Sequence, residues 1–241
     1  MPLPKITTPT YELTLPSTNK KIKYRPFLVR EEKILIMAME TENMKEITNA
    51  VVQIISDCII TKDVKVESLA TFDIEYLFLN VRSKSVGETV DVSIICPDDG
   101  ETSVEMSIDI DRIKVQKNRG HKNIIKLDDN FSMKLKYPSL DQFVESNFEI
   151  NEDSLNDVSQ SLSMISSSIE MIYNQEESWQ ASEYTKEELD EFIEQLNTKQ
   201  FKEIEKFFTT MPKLSHTVVV KNPKTGVESE VILEGLSSFF V

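Results

Sequence analysis

Glycine, histidine and cysteine are scarce in this chain of 241 residues, which has five glycines, two histidines and two cysteines. With so few glycines the loops that cradle nucleotide phosphates are hard to build, and neither G-x-x-x-x-G-K-[ST] nor G-x-G-x-x-G occurs. The hydrolase motifs H-E-x-x-H and G-x-S-x-G are missing as well. Neither His121 nor His216 predicts a nucleophile and base pair. We therefore expect a protein that is not an enzyme and needs no cofactor.

Long apolar runs are also missing. No stretch reaches the roughly 18 uninterrupted apolar residues that a membrane helix requires, and the first residues contain no apolar signal core. Cys58 ends a helical pattern and Cys96 lies in a turn, which does not resemble a disulfide framework. These features indicate a protein of a reducing cytoplasm without stable membrane insertion.

Acidic side chains outnumber basic ones by 41 to 27, which gives a net charge of −14. Such a balance repels phosphate backbones, so we expect protein partners and no nucleic acid. The sequence does not determine the oligomeric state. A basic connector covers residues 114–122, and we interpret it as a solvated loop, with a docking site for an acidic partner as the alternative.

One turn motif occurs twice in the sequence. Residues 96–100 (CPDDG) and 222–226 (NPKTG) share the frame x-P-x-x-G of a zinc knuckle, C-P-x-C-G. We call them the first and second knuckle turns. The positions that four thiolates would occupy instead carry Cys96, Asp99, Asn222 and Thr225. Because Asn and Thr are poor zinc ligands, we expect no bound metal. The motif predicts either a paired, metal-free ribbon or two ordinary hairpins with turns set by Pro and Gly.

Apolar spacing gives the remaining elements. Alternation predicts hairpins over residues 11–27, 89–109, 124–137 and 217–234. A spacing of three and four predicts helix over residues 30–60, with a break at 41–43, and over 71–83.

A helical hairpin is predicted over residues 152–211. Its first helix would use a seam of apolar residues, Leu155, Val158, Leu162, Ile165, Ile169 and Ile172. Its second helix would begin with a capping box of Thr185 and Glu188 and end at Pro212. The loop between them, residues 174–182, contains Trp179.

Together these elements predict an α+β fold. Small antiparallel hairpin units, a degenerate and metal-free zinc-ribbon-like pair, would accompany N-terminal helices and an inserted helical hairpin. The predicted divisions are an N-terminal region with the first knuckle hairpin, the helical insertion, and a second knuckle hairpin with an apolar tail that packs back on the first region. Their bounds are residues 1–138, 139–212 and 213–241.

Three stretches carry a resemblance to a known family. Residues 24–33 (YRPFLVREEK), 72–88 (FDIEYLFLNVRSKSVGE) and 231–240 (VILEGLSSFF) resemble the baseplate hub assembly proteins of T4-type contractile-tailed bacteriophages. The resemblance covers most of the chain. Relatives often carry fuller C-P-x-C pairs at the knuckle turns, so this chain departs from the family there.

The resemblance implies a late viral protein made in the host cytoplasm, with other baseplate hub proteins as partners. It would chaperone or promote assembly of the central hub and leave before the tail matures. Two alternatives stay open: a permanent structural subunit of the hub, and a zinc-ribbon-like docking adaptor unrelated to tails. As candidate contact residues we select Trp179, Phe207, Phe208, Phe239 and Phe240, with Arg82 and Lys84 as polar contacts.

Overall fold

The computed structural model describes residues 6–139, 158–235 and Ser238. Among these residues it contains six α-helices and antiparallel sheets of two to four strands, so the predicted α+β class is confirmed. The described residues form two compact units. The first unit holds residues up to 66, 72–116 and those from 213 onward, and the second holds 67–71 and 117–212.

The helices and strands are numbered in chain order. They are β1 (Tyr11–Thr14), β2 (Lys21–Tyr24), α1 (Val29–Met39), α2 (Met44–Cys58), α3 (Thr71–Ser83), β3 (Thr89–Ile95), β4 (Ser103–Asp109), β5 (Lys114–Gln116), β6 (Ile124–Lys126), β7 (Ser132–Leu135), α4 (Val158–Ser168), β8 (Ile169–Tyr173), β9 (Ser178–Gln180), α5 (Lys186–Glu194), α6 (Thr198–Thr210), β10 (Lys213–Lys221) and β11 (Glu228–Glu234). Short 3₁₀ turns cover Val66–Ser68, Ile110–Arg112 and Ala181–Glu183.

The N-terminal part of the first unit follows the sequence prediction. Strands β1 and β2 form an antiparallel hairpin, and helix α3 has the predicted bounds. The predicted break after α1 is confirmed, because Asn43 caps α2 by accepting from the backbone N–H groups of Lys45 and Glu46. Local signals of this kind place helix ends without help from distant residues.

The two knuckle hairpins lie in separate sheets of the first unit. β3 pairs with β4, and the second sheet has the order β11-β10-β5. The inward side chains of both hairpins share one apolar core, which includes Val90, Val92, Ile94, Cys96, Ile108, Leu214, Val218, Val220 and Leu233. The expectation of a solvated loop over residues 114–122 is wrong at β5. Its residues belong to the predicted basic connector, but they pair with β10 at Lys213–Ser215, a partner distant in sequence.

The second unit is built on a four-stranded antiparallel sheet of order β6-β7-β8-β9. The predicted hairpin at residues 124–137 is confirmed as β6 and β7. Helices α4, α5 and α6 contribute side chains to the same core. Its buried members are Ile125, Leu127, Met133, Leu135, Ile165, Ile169, Ile172, Ile193, Ile204 and Phe207.

The prediction of a helix continuing through Ile172 is wrong. Helix α4 ends at Ser168, and Ile169–Tyr173 is a strand that pairs with β7 on one side and β9 on the other. The hydroxyls of Ser166, Ser167 and Ser168 donate to backbone carbonyls three or four residues earlier, a bond that competes with helix propagation. The β-branched residues that follow are stabilised by burial in the sheet. Leu155 lies outside the described residues.

The long helix predicted after Thr185 is in fact two helices. The predicted capping box is confirmed, since Thr185 accepts from the N–H of Glu188 (3.3 Å) and donates its own N–H to the Glu188 carboxylate (2.8 Å). A second box follows, in which Asn197 and Gln200 exchange the same bonds and start α6. Asparagine is a strong N-cap, so it interrupts a pattern that apolar spacing alone predicts to be continuous.

Candidate functional site

The first knuckle turn closes the β3–β4 hairpin. The N–H of Cys96 donates to the carbonyl of Thr102 (2.8 Å), and the N–H of Gly100 donates to the carbonyl of Cys96 (2.9 Å). Gly100 has a φ of +68°, a left-handed conformation that glycine adopts without steric cost. Asp99 caps the turn by accepting from the N–H groups of Glu101 (3.1 Å) and Thr102 (3.0 Å).

The second knuckle turn repeats this geometry in the β10–β11 hairpin. The N–H of Gly226 donates to the carbonyl of Asn222 (2.8 Å), and the N–H of Asn222 donates to the carbonyl of Val227 (2.9 Å). The side-chain Oδ1 of Asn222 accepts from the N–H groups of Lys224 (2.8 Å) and Thr225 (3.4 Å). The repeated sequence frame therefore specifies a repeated backbone turn.

The two knuckle turns contact each other through polar side chains. The Nδ2 of Asn222 donates to both carboxylate oxygens of Asp98 (3.0 and 3.1 Å) and to Oδ2 of Asp99 (2.9 Å). The hydroxyl of Thr225 also donates to Asp98. These bonds join residues about 125 positions apart, and we call the four side chains the knuckle lock. Of the two hypotheses from the sequence, the structure therefore shows the paired ribbon.

The orientation of the Asn222 amide follows from its partners. Because its Oδ1 accepts backbone N–H groups within its own turn, its NH₂ group must face the two carboxylates. Asn222 is only 1% exposed, so it lies buried beneath the turn contact. A partly positive NH₂ group thus stands between two carboxylates.

Hydrogen bonding keeps the lock carboxylates ionised. Bonds from Thr225 and Asn222 lower the pKa of Asp98, and bonds from Thr102 and Asn222 lower that of Asp99. The Cys96 thiol responds in the opposite direction, because burial and the charges of Asp98 and Asp99 raise its pKa. Cys96 is therefore a protonated, buried thiol beside two carboxylates.

The donor set at the knuckle turns does not fit a tetrahedral zinc site. Asp99 and Asn222 already direct their polar atoms at each other and at backbone N–H groups. Within residues 6–139 and 158–235, no three His, Cys, Asp or Glu side chains are grouped as metal ligands would be. The geometry instead lets two hairpin tips hold each other by hydrogen bonds.

A buried ion pair organises the stretch at residues 24–33. The carboxylate of Glu31, which is fully buried, accepts from Arg25 (2.9 Å), Arg30 (2.6 Å) and the N–H of Leu28 (2.7 Å). Burial opposes its charge, yet these bonds outweigh burial and lower the pKa of Glu31 to about 2. Arg25 also donates to the carbonyl of Asp57 (2.9 Å) at the end of α2. These residues hold β2, α1 and α2 together.

A second buried carboxylate organises the stretch at residues 72–88. Asp73, at the start of α3, accepts from the N–H of Ser17 (3.0 Å) and from the Ser17 hydroxyl. Ser17 lies in the turn between β1 and β2, so Asp73 fixes that hairpin against α3. Two of the three stretches that resemble the phage family thus contribute buried polar contacts to the first unit.

The aromatic candidates on the second unit lie in or near its core. Phe207 is 1% exposed and is a core residue, with its ring centroid 5.1 Å from that of Phe208. Phe208 is half-buried against the same core. Trp179 lies on β9 rather than in a loop, and it is half-buried 6.0 Å from the ring of Phe131. Phe208 and Trp179 keep some exposed surface.

The remaining candidates are polar or lie at the end of the chain. Arg82 Nη1 is 3.5 Å from the carbonyl of Thr89, and burial lowers the pKa of Arg82. Lys84 forms an ion pair with Glu88 (3.0 Å), which raises the pKa of Lys84. Phe239 and Phe240 lie outside the described residues.

Two exposed apolar surfaces were not predicted from the sequence. On α1, Val29, Ile36 and Met37 are 80%, 51% and 56% exposed and share one helix face. On the outer face of the β10–β11 hairpin, Val219 and Ile232 are 57% and 62% exposed. Apolar periodicity predicts which face of a helix or strand is apolar. It cannot show which apolar residues remain exposed because no other part of the fold covers them.

Comparison with known proteins identifies the family. The family model described as T4 bacteriophage base plate protein matches residues 8–241. The chain belongs to this family. Comparisons with curated proteins and with solved structures gave no match.

Family membership makes this a phage baseplate protein that interacts with other baseplate proteins. The predicted resemblance is thereby confirmed at the level of the baseplate. None of the described helices of the baseplate protein combines the length and the apolar character needed to cross a lipid bilayer.

Proposed function

We propose that this baseplate protein is a non-enzymatic assembly factor for the central hub. It would bind a hub component in the host cytoplasm, late in infection, and hold that component until its neighbours arrive. Membership in the baseplate family supports the setting. The observation that carries the proposal is the pair of exposed apolar surfaces on the first unit.

The α1 surface is suited to reversible binding. Its apolar residues, Val29, Ile36 and Met37, are interrupted by Lys33, so the surface is modest in size and mixed in character. Apolar groups that stay exposed on a folded protein commonly mark interaction sites. An interface that is exchanged during assembly is expected to be smaller and more polar than a permanent one.

The β10–β11 surface has a similar character. Val219 and Ile232 stand between two exposed cross-strand ion pairs, Lys213 with Glu234 (3.1 Å) and Lys221 with Glu228 (3.6 Å). The knuckle lock anchors the tip of this hairpin to the other one. A preordered surface loses less conformational entropy on binding, which favours capture of a partner.

The contacts described above also support a role without catalysis. Asp98 and Asp99 are the two carboxylates of the knuckle turns, and both accept hydrogen bonds that join the turns. His121 contacts Thr210 (3.0 Å) and Tyr137 (3.1 Å) within the second unit. These groups act as structural contacts.

A permanent hub subunit is the alternative that the family membership equally allows. The two roles differ in whether the protein remains in the virion. The hypothesis of a docking adaptor unrelated to tails loses its basis, because the chain belongs to a baseplate family.

The deciding experiment is affinity capture of the tagged protein from phage-infected cells, with mass spectrometry of the captured proteins and of purified virions. The assembly role predicts hub proteins in the captured fraction and no tagged protein in virions. A fixed amount in virions would establish a structural subunit instead. Capture of no baseplate protein would refute both roles. Replacing Ile36 and Met37 by Ser, where both are exposed, should weaken capture while the protein stays folded.

A further inference from the structure

Strand β11 has a free edge whose residues can be assigned. Backbone hydrogen bonds join Asn222 to Val227 at one end of the hairpin and Gly235 to Leu214 at the other (2.9 and 3.1 Å). Residues in an antiparallel pair alternate between bonding the partner strand and pointing away from it. In the observed register, Ser229, Val231 and Leu233 therefore bond β10. The backbone groups of Glu228, Glu230 and Ile232 point away from β10.

Among the described residues no strand pairs with this side of β11. The sheet has the order β11-β10-β5, so β11 is its terminal strand. The edge ends at Glu234, whose carbonyl accepts from the hydroxyl of Ser238 (2.7 Å). The backbone N–H and C=O groups of Glu228, Glu230 and Ile232 therefore have no strand partner in the described part of the chain, which is the arrangement that an added strand uses.

The side chains along this edge have a defined chemistry. The outward residues are Glu228, Glu230 and Ile232, so two carboxylates precede one apolar group. Glu230 is exposed and lies opposite Val219 in the register, where no basic residue faces it. Ile232 is 62% exposed and extends the apolar outer face. Glu228 also forms the exposed ion pair with Lys221 (3.6 Å), so Glu230 supplies most of the negative charge at the acidic end of the edge, and Ile232 supplies its apolar end.

This pattern discriminates between possible strands. A second copy of β11 docked antiparallel at this edge would place glutamates near glutamates, which is unfavourable. Charges of this kind commonly protect a sheet edge from self-association. They leave the backbone groups free for a strand with the opposite charge. Charge complementarity therefore selects a basic segment.

We propose that the β11 edge is a strand-addition site for an extended, basic segment of a partner protein. An antiparallel segment would place an apolar residue opposite Ile232 and basic residues opposite Glu230 and Glu228. Since side chains alternate along a strand, the segment has the pattern apolar-x-basic-x-basic. The proposal rests on the proposed function only for the source of the segment, another baseplate protein.

The test uses the full chain and a blocked synthetic peptide with the core Ile-Thr-Lys-Thr-Lys. Amide hydrogen exchange, followed by NMR, should show new protection at Glu230 and Ile232. Val231 serves as an internal reference, because its N–H already bonds β10. The control peptide, Ile-Thr-Thr-Lys-Lys, has the same composition but places its lysines on opposite faces. It should bind more weakly, which separates strand addition from general attraction to an acidic protein.

Charge reversal gives the matched variants. Glu230→Lys should weaken binding of the first peptide by about five- to tenfold, since a favourable cross-strand pair becomes a repulsive one. The variant should instead bind a peptide with Ile-Thr-Glu-Thr-Lys, whose glutamate lies opposite the introduced lysine and whose lysine still lies opposite Glu228. Glu105→Lys, on the exposed edge side of β4, should leave binding unchanged. Glu230→Pro removes an outward N–H, keeps the β10 bonds, and should abolish the new protection.

Three results would overturn the proposal: equal binding of both lysine peptides, no binding of either, or protection of the Glu230 and Ile232 amides in the protein alone. The last result would show that the edge is covered by this chain or by a second copy. Failure here leaves the capture experiment unaffected. If the peptide binds but no hub protein is captured from infected cells, the edge site stands and the proposed function fails.

Discussion

The replacement Asn222→Asp tests whether the knuckle lock holds the two hairpins together. It changes one NH₂ group into a carboxylate oxygen and leaves size and shape nearly the same. The Oδ1 bonds to the backbone of the second knuckle turn can persist. The Asn222 donors to Asp98 and Asp99 are lost, while the Thr225 hydroxyl can still donate to Asp98, and a third carboxylate faces the other two. The change therefore isolates the contact between the turns from the turn itself.

The expected cost follows from the lost bonds. A hydrogen bond to a charged group contributes about 1.5–3 kcal/mol. The Asn222 amide has two hydrogens, so two such bonds are lost. Asp98 is exposed and can be rehydrated, so each bond is taken at the lower end of that range, about 1.5 kcal/mol. We expect the free energy of unfolding to fall by about 3 kcal/mol at pH 7. For a chain of this size that corresponds to a melting temperature lower by about 6–12 °C.

The assay is thermal unfolding followed by circular dichroism between about pH 7 and pH 4.5. In the native protein the pKa values of Asp98 and Asp99 are lowered, so their contribution to stability is present above the unfolded pKa and is lost on acidification. The introduced carboxyl has the opposite sign, because two neighbouring anions raise its pKa. Protonation restores a donor, so the stability difference between variant and native protein should shrink as pH falls.

The matched control is Asn118→Asp. Asn118 also forms a side-chain turn, in which its Oδ1 accepts from the N–H of Gly120 (2.9 Å), and it is exposed among basic residues. This change should alter stability by less than about 0.5 kcal/mol. If Asn222→Asp costs no more than the control, or if its cost is independent of pH, the knuckle lock does not stabilise the fold in the way described.

Two further predictions concern buried charge and pH. Glu31→Gln should lower the free energy of unfolding by about 3 kcal/mol at pH 7, since it leaves the Arg25 guanidinium largely buried without its anion; urea unfolding measures this, and a loss below 1 kcal/mol would contradict it. Burial lowers the pKa of His121, so the unfolded chain takes up its proton first and the second unit should lose stability as pH falls below about 6.5. Melting followed by Trp179 fluorescence should show this loss, and His121→Gln should remove it; an unchanged slope in the variant would assign the loss to another group.

Much of the local structure was predictable because its causes are close in sequence. The bounds of α3, the Thr185 capping box and both knuckle turns depend on residues a few positions apart. The helix predicted through Ile172 failed for the opposite reason. Strand Ile169–Tyr173 is stabilised by β7, more than thirty positions earlier, and apolar spacing does not report such a partner.

The candidate site likewise has some features that the sequence predicted and others that depend on residues distant in sequence. The sequence identified the four knuckle positions and the family, because turn motifs and family resemblance are properties of the chain itself. It missed the part played by Asp98, which occupies the variable position of the motif yet accepts from both Asn222 and Thr225. It also missed the β11 edge, because the direction of each backbone N–H depends on the register with β10.

The sequence by itself determined the turns, the helix caps, the α+β class and the acidic charge, since each follows from neighbouring residues or from composition. Only the tertiary structure decided that Asn222 meets Asp98 and Asp99, that Glu31 is a buried anion between arginines, and that β11 ends a sheet. The physical reason is that hydrogen bonds and burial depend on distance in space. Residues about 125 positions apart acquire that proximity only when the chain folds.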